Sequence, residues 1–270
     1  MANSNNRPFS IRIFLPEGDP EGLRIIEKSS WTGVGVVFTR SGYKTAANRK
    51  EFQQTGVYIL VGPSDEEASS ASDVYIGEGD PVGPRIASHY AKADFWTWCV
   101  FFTSKDVSLN KAHVQYLECE LIKLALNVKQ ANLHNERIMT RPSLTESDEA
   151  DMKCYLEDML SILPLLNLSI FQATRPKLKN IEELIIDTKN YHAIGFESSQ
   201  GFVVRKDSIA AGGDIGSHHT WLRRFRRDLL KRGVLVDNDG AYIFTQDYVF
   251  PSPTRAANII LGRSANGRIE

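Results

Sequence analysis

Two phenols, a guanidinium, an imidazole and one carboxylate fall within about sixty residues of this chain: Tyr58, Tyr75, Arg85, His89 and Glu118. Together they hold what hydrolysis of a phosphate diester needs. A guanidinium clamps the phosphate through two parallel N–H bonds, and an imidazole or phenol takes a proton from water. A lone carboxylate can hold Mg²⁺, because this ion keeps most of its waters and takes further oxygens from substrate phosphate. Each residue also has a plainer explanation. Strand tyrosines commonly pack with the hydroxyl at the surface, and a basic helix stripe is commonly a solvated face. A glutamate beside a core stripe is commonly an ion pair, with Arg85 as the candidate partner here.

The elements that must position these groups are legible in outline. Gly56 to Val61 alternates, with Val57, Ile59 and Val61 on one side and Tyr58 and Leu60 on the other. Val74 to Gly77 returns as a second strand after Pro63 to Ser72, a Ser/Asp/Glu-rich stretch that reads as an exposed loop. Val82 to Ala93 reads as a short helix in which Arg85 and His89, four apart, share a face, with Lys92 near the same line. Thr97 to Thr103 reads as a third strand. Asn110 to Val128 reads as an amphipathic helix with Val114, Leu117, Leu121, Leu124 and Val128 as its core stripe and Glu118 on the flank.

The tripeptides Gly56-Val57-Tyr58 and Tyr75-Ile76-Gly77 come first. The run Val74-Tyr75-Ile76-Gly77-Glu78-Gly79 is followed by Arg85 and His89, and Leu109 to Ile122 carries Glu118. Over roughly residues 55–135 this order resembles the GIY-YIG nuclease superfamily. The resemblance implies an α+β fold: a three-stranded antiparallel sheet flanked by helices. It implies a metal-dependent endonuclease using Mg²⁺ or Mn²⁺. In that reading Tyr58 activates water and Tyr75 positions water or phosphate. Arg85 stabilises the phosphate charge, His89 supports the tyrosine as in the restriction-enzyme branch, and Glu118 is the sole protein metal ligand. The family also carries a downstream asparagine, for which Asn132 and Asn135 both qualify and Asn135 is favoured. Val57 stands where isoleucine is usual, and the loop between the tripeptides is longer than in many members.

Four stretches are expected: a small β-containing module at 9–50, the nuclease-like region at 53–136, a helical extension at 144–172 and a small C-terminal α/β domain at 181–270. In the first, Ile11 to Leu15 and Gly33 to Thr39 read as strands and Gly22 to Ser29 as a short helix. Thr145 and Asp148 resemble a capping box ahead of Met152, Leu156, Met159 and Leu163, and Pro164 should end or kink that helix. A linker-like stretch beginning Ala173-Thr174-Arg175-Pro176 leads to the last domain. There Gly201 to Val204 reads as a strand, Asn238-Asp239-Gly240 as a hairpin turn, and Ser252-Pro253 as the start of a helix.

Gly201 to Val204, Phe244 to Phe250 and Gly262 to Gly267 resemble a domain of unknown function often found behind such nuclease modules. The helix Thr220 to Arg232 carries Arg223, Arg224, Arg226 and Arg227, expected together with Lys92 to meet nucleic acid, DNA being the first expectation. A helix followed by a hairpin also suits a winged-helix-like binder, whereas His218-His219 has no metal-spaced partners and reads as surface.

A net charge of −1 provides no global attraction to nucleic acid, so contact must come from local patches. Three scattered cysteines form neither a zinc motif nor a disulfide framework, which suits a reducing cytoplasm. No apolar run is long enough to span a bilayer, and the polar N-terminus has no apolar targeting core. The alternative to a nuclease is a nucleic-acid-binding protein with a silent GIY-YIG fold, acting in a repair or defence complex. The sequence leaves oligomeric state open.

Overall fold

The computed structural model describes residues 8–63, 71–135, 140–172, 182–188, 191–213 and 220–267. Most of the acidic loop after Pro63, the linker from Ala173, and His218-His219 lie outside the described residues. The chain is mixed α+β and separates into two units, one of residues 1–63, 73–126 and 133–168 and one built mainly of residues 169–270.

The strands of the seven-stranded sheet are β1 (Ile11–Phe14), β2 (Arg24–Lys28), β3 (Gly33–Thr39), β4 (Gly56–Gly62), β5 (Ser72–Gly79), β6 (Trp98–Ser104) and β7 (Ala131–Leu133). The helices along this part of the chain are α1 (Tyr43–Ala46), α2 (Val82–Lys92), α3 (Lys111–Val128) and α4 (Glu146–Ile162), with a 3₁₀ turn at Lys50–Gln53. The sheet order is β1-β2-β3-β6-β4-β5-β7. The expected trio is present, with β4 antiparallel to both β5 and β6. It is the centre of a larger sheet, however. β3 pairs with β6 from Gly33↔Ser104 to Thr39↔Trp98, so residues 9–50 extend the sheet instead of standing apart.

The helix expected over Gly22 to Ser29 is a strand. Arg24–Lys28 lies antiparallel between β1 and β3, and both Ile25 and Ile26 are buried there. Adjacent β-branched residues fit a strand covered on both faces, and the ladder on each side outweighs any local helical preference.

Register sets the two faces. Tyr58 lies opposite Gly77 on β5 and Phe101 on β6, so Tyr58, Leu60, Cys99, Phe101 and Phe38 share one side. They pack with Ala46 of α1, Phe52, and Val82 and Ile86 of α2. Val57, Ile59, Ile76, Val100 and Phe102 are fully buried on the other side. There Lys111 of α3 reaches Glu78, and Tyr155 of α4 donates to the Thr103 carbonyl at 2.7 Å. Each such buried aliphatic or aromatic side chain stabilises the unit by about 1.5–3 kcal/mol relative to exposure. Helix α4 begins where Thr145 Oγ1 accepts from the Asp148 N–H at 3.1 Å. It passes into a 3₁₀ turn at Leu163–Leu166 that contains Pro164 and ends on Asn167 in the left-handed region.

The second unit contains β8 (Glu183–Asp187), β9 (His192–Ser198), β10 (Gly201–Val204), β11 (Ile209–Ala211), α5 (Thr220–Lys231), β12 (Leu235–Asn238), β13 (Ala241–Phe244), β14 (Tyr248–Phe250) and α6 (Pro253–Leu261). Two antiparallel sheets, β14-β10-β9-β8 and β11-β13-β12, share a core with Leu222, Phe225 and Leu229 of α5 and Ile259 of α6. Asp239 and Gly240 both have positive φ, the requirement of a two-residue hairpin turn. Ser252 Oγ caps α6 by accepting from the Arg255 N–H at 3.2 Å. Among the described residues no helix is long and apolar enough to cross a membrane.

Candidate active site

The sheet brings the two phenols together through glycine. The Tyr58 ring lies across Gly77, where any Cβ would overlap the phenol tip; only a residue without a side chain fits. The Tyr58 and Tyr75 rings stack with centroids 6.1 Å apart. His89, projecting from α2, lies 4.4 Å from the Tyr75 ring and 5.7 Å from that of Tyr58. Gly79 works in the same way for the arginine. A Cβ there would sit 3.0 Å from Arg85 Cγ and 2.7 Å from the Pro81 carbonyl, so the Arg85 stem runs across the end of β5. Thr55 ties the intervening turn to the start of β4 by donating to the Asp80 carboxylate at 2.6 Å.

Electrostatics differ sharply among these groups. Burial, then Tyr75, pushes the Tyr58 hydroxyl well above its usual range, and Arg85 offsets only part of this. The hydroxyl is buried and has no well-formed hydrogen bond among the described residues, although the Arg85 guanidinium is a neighbour. Tyr58 is therefore a neutral phenol in the free protein. Burial, and then Arg85, lowers the His89 pKa, which leaves a neutral imidazole able to accept a proton at neutral pH. The Glu118 carboxyl is pushed up to about 7, first by burial and then by the like charge of Glu78, with Arg85 and Lys111 opposing. Only 6% of Glu118 is exposed, and it has no ion pair or hydrogen bond from a side chain among the described residues. The Arg85 ion pair considered from the sequence does not form.

Two of the expected assignments need revision. Asn135, expected among the catalytic residues, spends both ends of its amide on one strand residue. Its Oδ1 accepts from the Ile76 N–H at 3.0 Å, and its Nδ2 donates to the Ile76 carbonyl at 2.7 Å. It clamps β5 between Tyr75 and Gly77, which places it as a support of the site. Arg226, expected to meet nucleic acid, is 3% exposed. Its guanidinium donates to the carbonyls of Ile259 and Ile260 in the last turn of α6, and burial lowers its pKa to about 10. Arg223, Arg224 and Arg227 are exposed on α5, and Lys92 is exposed at the end of α2.

Sequence reasoning missed Glu78 and Lys111. Both Glu78 oxygens accept from Lys111 Nζ, at 2.6 and 2.7 Å. The available signal was a charged residue set between two strand glycines, together with a lysine two helical turns before Glu118.

A divalent cation is tested by the donors present. Among the described residues no group of three or more His, Cys, Asp or Glu side chains can hold a metal ion. The candidate site offers one uncompensated carboxylate, Glu118, beside a second that is already paired. This sparse anionic set fits Mg²⁺ or Mn²⁺ that retains its waters and shares phosphate oxygens.

The first unit thus defines a protein with a phenol, imidazole, guanidinium and carboxylate gathered on one α+β sheet. Residues 184–270, within the second unit, match the family described as Domain of unknown function (DUF4357). No curated protein and no solved structure matches the chain.

Proposed function

We propose that this protein is a metal-dependent endonuclease of the GIY-YIG type, hydrolysing phosphodiester bonds in nucleic acid, with DNA as the first substrate to test. The observation that carries the reading is the packing of Tyr58 across Gly77, beside Tyr75, His89 and Arg85. Arg85 binds the phosphate and stabilises its charge in the transition state. His89, neutral at working pH, takes the Tyr58 proton as that phenol takes one from water; the hydroxide so formed attacks phosphorus, the ester bond from phosphorus to the departing oxygen breaks, and that oxygen takes a proton from solvent. This relay avoids a standing phenolate, which the burial of Tyr58 opposes. Glu118 would hold the cation, and a cation there supplies Lewis-acid stabilisation of the phosphate. The exposed Arg223, Arg224 and Arg227 supply salt-sensitive affinity from the second unit.

One observation favours the second reading, a nucleic-acid binder that does not cut. The Tyr58 hydroxyl is buried and protonated and makes no well-formed hydrogen bond among the described residues, with only the Arg85 guanidinium beside it. Incubation with supercoiled plasmid, branched DNA and RNA separates the two. The nuclease reading expects nicking with Mg²⁺ or Mn²⁺ and none in EDTA, with Tyr58→Phe slower by about 10²–10⁴-fold. Salt-sensitive binding without cleavage in any metal overturns it in favour of the second reading.

A further inference from the structure

The proposed reaction leaves two charged groups beside the site unused. Glu78 is 8% exposed and chelates Lys111 through both oxygens, whereas the Lys111 side chain is 51% exposed. Lys111 and Glu118 lie seven residues apart on α3, two helical turns, so they share the side of the helix that meets β5. One ammonium therefore serves two buried carboxylates and engages only Glu78. Glu118 makes no ion pair among the described residues, and a desolvated carboxyl in that position takes up either a proton or a cation. The arrangement is that of a two-carboxylate cation site with a lysine already seated on one of the carboxylates.

We propose that Glu78 is the second carboxylate of the cation site at Glu118, and that Lys111 is its internal competitor, seated on Glu78 until a divalent ion displaces it. The inference rests on the metal-dependent reading above and adds to it the device that sets metal affinity. While Lys111 occupies Glu78, the protein presents a single free carboxylate. Without that ammonium, both carboxylates are open to the ion. The half-exposed lysine stem provides the path by which the ammonium swings away into solvent.

Mn²⁺ titration of the full chain, followed by electron paramagnetic resonance of the free ion, tests this on folded protein without reference to activity. Lys111→Met should bind Mn²⁺ about tenfold tighter or more, since it removes a positive charge from the site. Lys111→Arg should stay near the wild type. Adding Glu78→Gln to Lys111→Met should cancel the gain, and this double variant also leaves no buried charge unpaired at position 78. Damage to the fold would weaken binding, the opposite sign. If Lys111→Met binds Mn²⁺ no tighter than wild type, or if its gain survives Glu78→Gln, the competitor role is overturned. Glu118→Gln separates the two levels. If it abolishes Mn²⁺ binding while Lys111→Met has no effect, only the competitor falls. If Mn²⁺ binds equally well without Glu118, the metal assignment falls with it.

Discussion

Replacing Glu118 by glutamine should stabilise the metal-free protein above neutral pH and leave it little changed in acid. The Glu118 carboxyl is held up to about 7 in the folded chain, against an ordinary value of 4.5, by burial and by Glu78. Between those values the folded state keeps a proton that the unfolded chain releases. Stability contributed by this group is therefore full in acid, falls as pH rises from about 4.5 to 7, and is flat above that. The gap of about 2.5 pH units, at about 1.36 kcal/mol each, sets an upper figure of about 3.4 kcal/mol. Water reaching the carboxylate screens part of it, so about 1.5–3 kcal/mol is expected. The Glu118→Gln variant has no such dependence, because its amide does not titrate. The assay is urea denaturation in EDTA at about pH 5 and pH 8, followed by tryptophan fluorescence. Trp31, Trp96 and Trp98 lie in the same unit as Glu118, so the signal is weighted towards the relevant core. Between about pH 5 and pH 8 the unscreened change is about 2.5 kcal/mol, so after screening wild type should lose about 1–2 kcal/mol more than Glu118→Gln. At pH 8, Mn²⁺ at about 100 times its Kd should return about 2.7 kcal/mol to wild type alone. Parallel pH dependence in the two proteins would refute the placement of an uncompensated carboxylate in this site.

Gly77→Ala places a methyl group where the Tyr58 phenol lies, so it should destabilise the first unit by about 1–3 kcal/mol and remove cleavage. Wild-type melting and nicking in that variant would show that the close approach is dispensable. The two kinds of arginine on α5 should behave oppositely. Arg226→Ala strips the buried donors from Ile259 and Ile260 and should lower the stability of the second unit by about 2–3 kcal/mol, read by denaturation. Replacing exposed Arg224 and Arg227 together by Ala should keep stability within about 0.5 kcal/mol. It should also flatten the slope of log affinity against log salt by about 0.9 per lost phosphate contact on duplex DNA. An unchanged slope would mark that face as merely solvated.

The sequence alone determined what depends on near neighbours. Alternation over Gly56 to Val61 sorted Tyr58 from Val57 and Ile59. Thr145 and Ser252 announced their helices, and Asp239-Gly240 announced the hairpin, because caps and turns are satisfied within three or four residues. The spacing of Arg85 and His89 placed both on one helix face. Only the tertiary structure decided the rest. Arg24 to Lys28 became a strand because β1 and β3 flank it, and β3 joined the expected trio through a ladder to β6 far along the chain. Among the basic residues of α5, the helical period shows which point inward only once the core is known, so Arg226 passed for a surface charge until α6 covered it. Asn135 became a clamp because Ile76 offered both a donor and an acceptor at the sheet edge. Glu78 found Lys111, while Glu118 was left without a counter-ion among the described residues, through contacts between β5 and α3. Burial and ionic partnership are properties of long-range contact, and no local pattern encodes them.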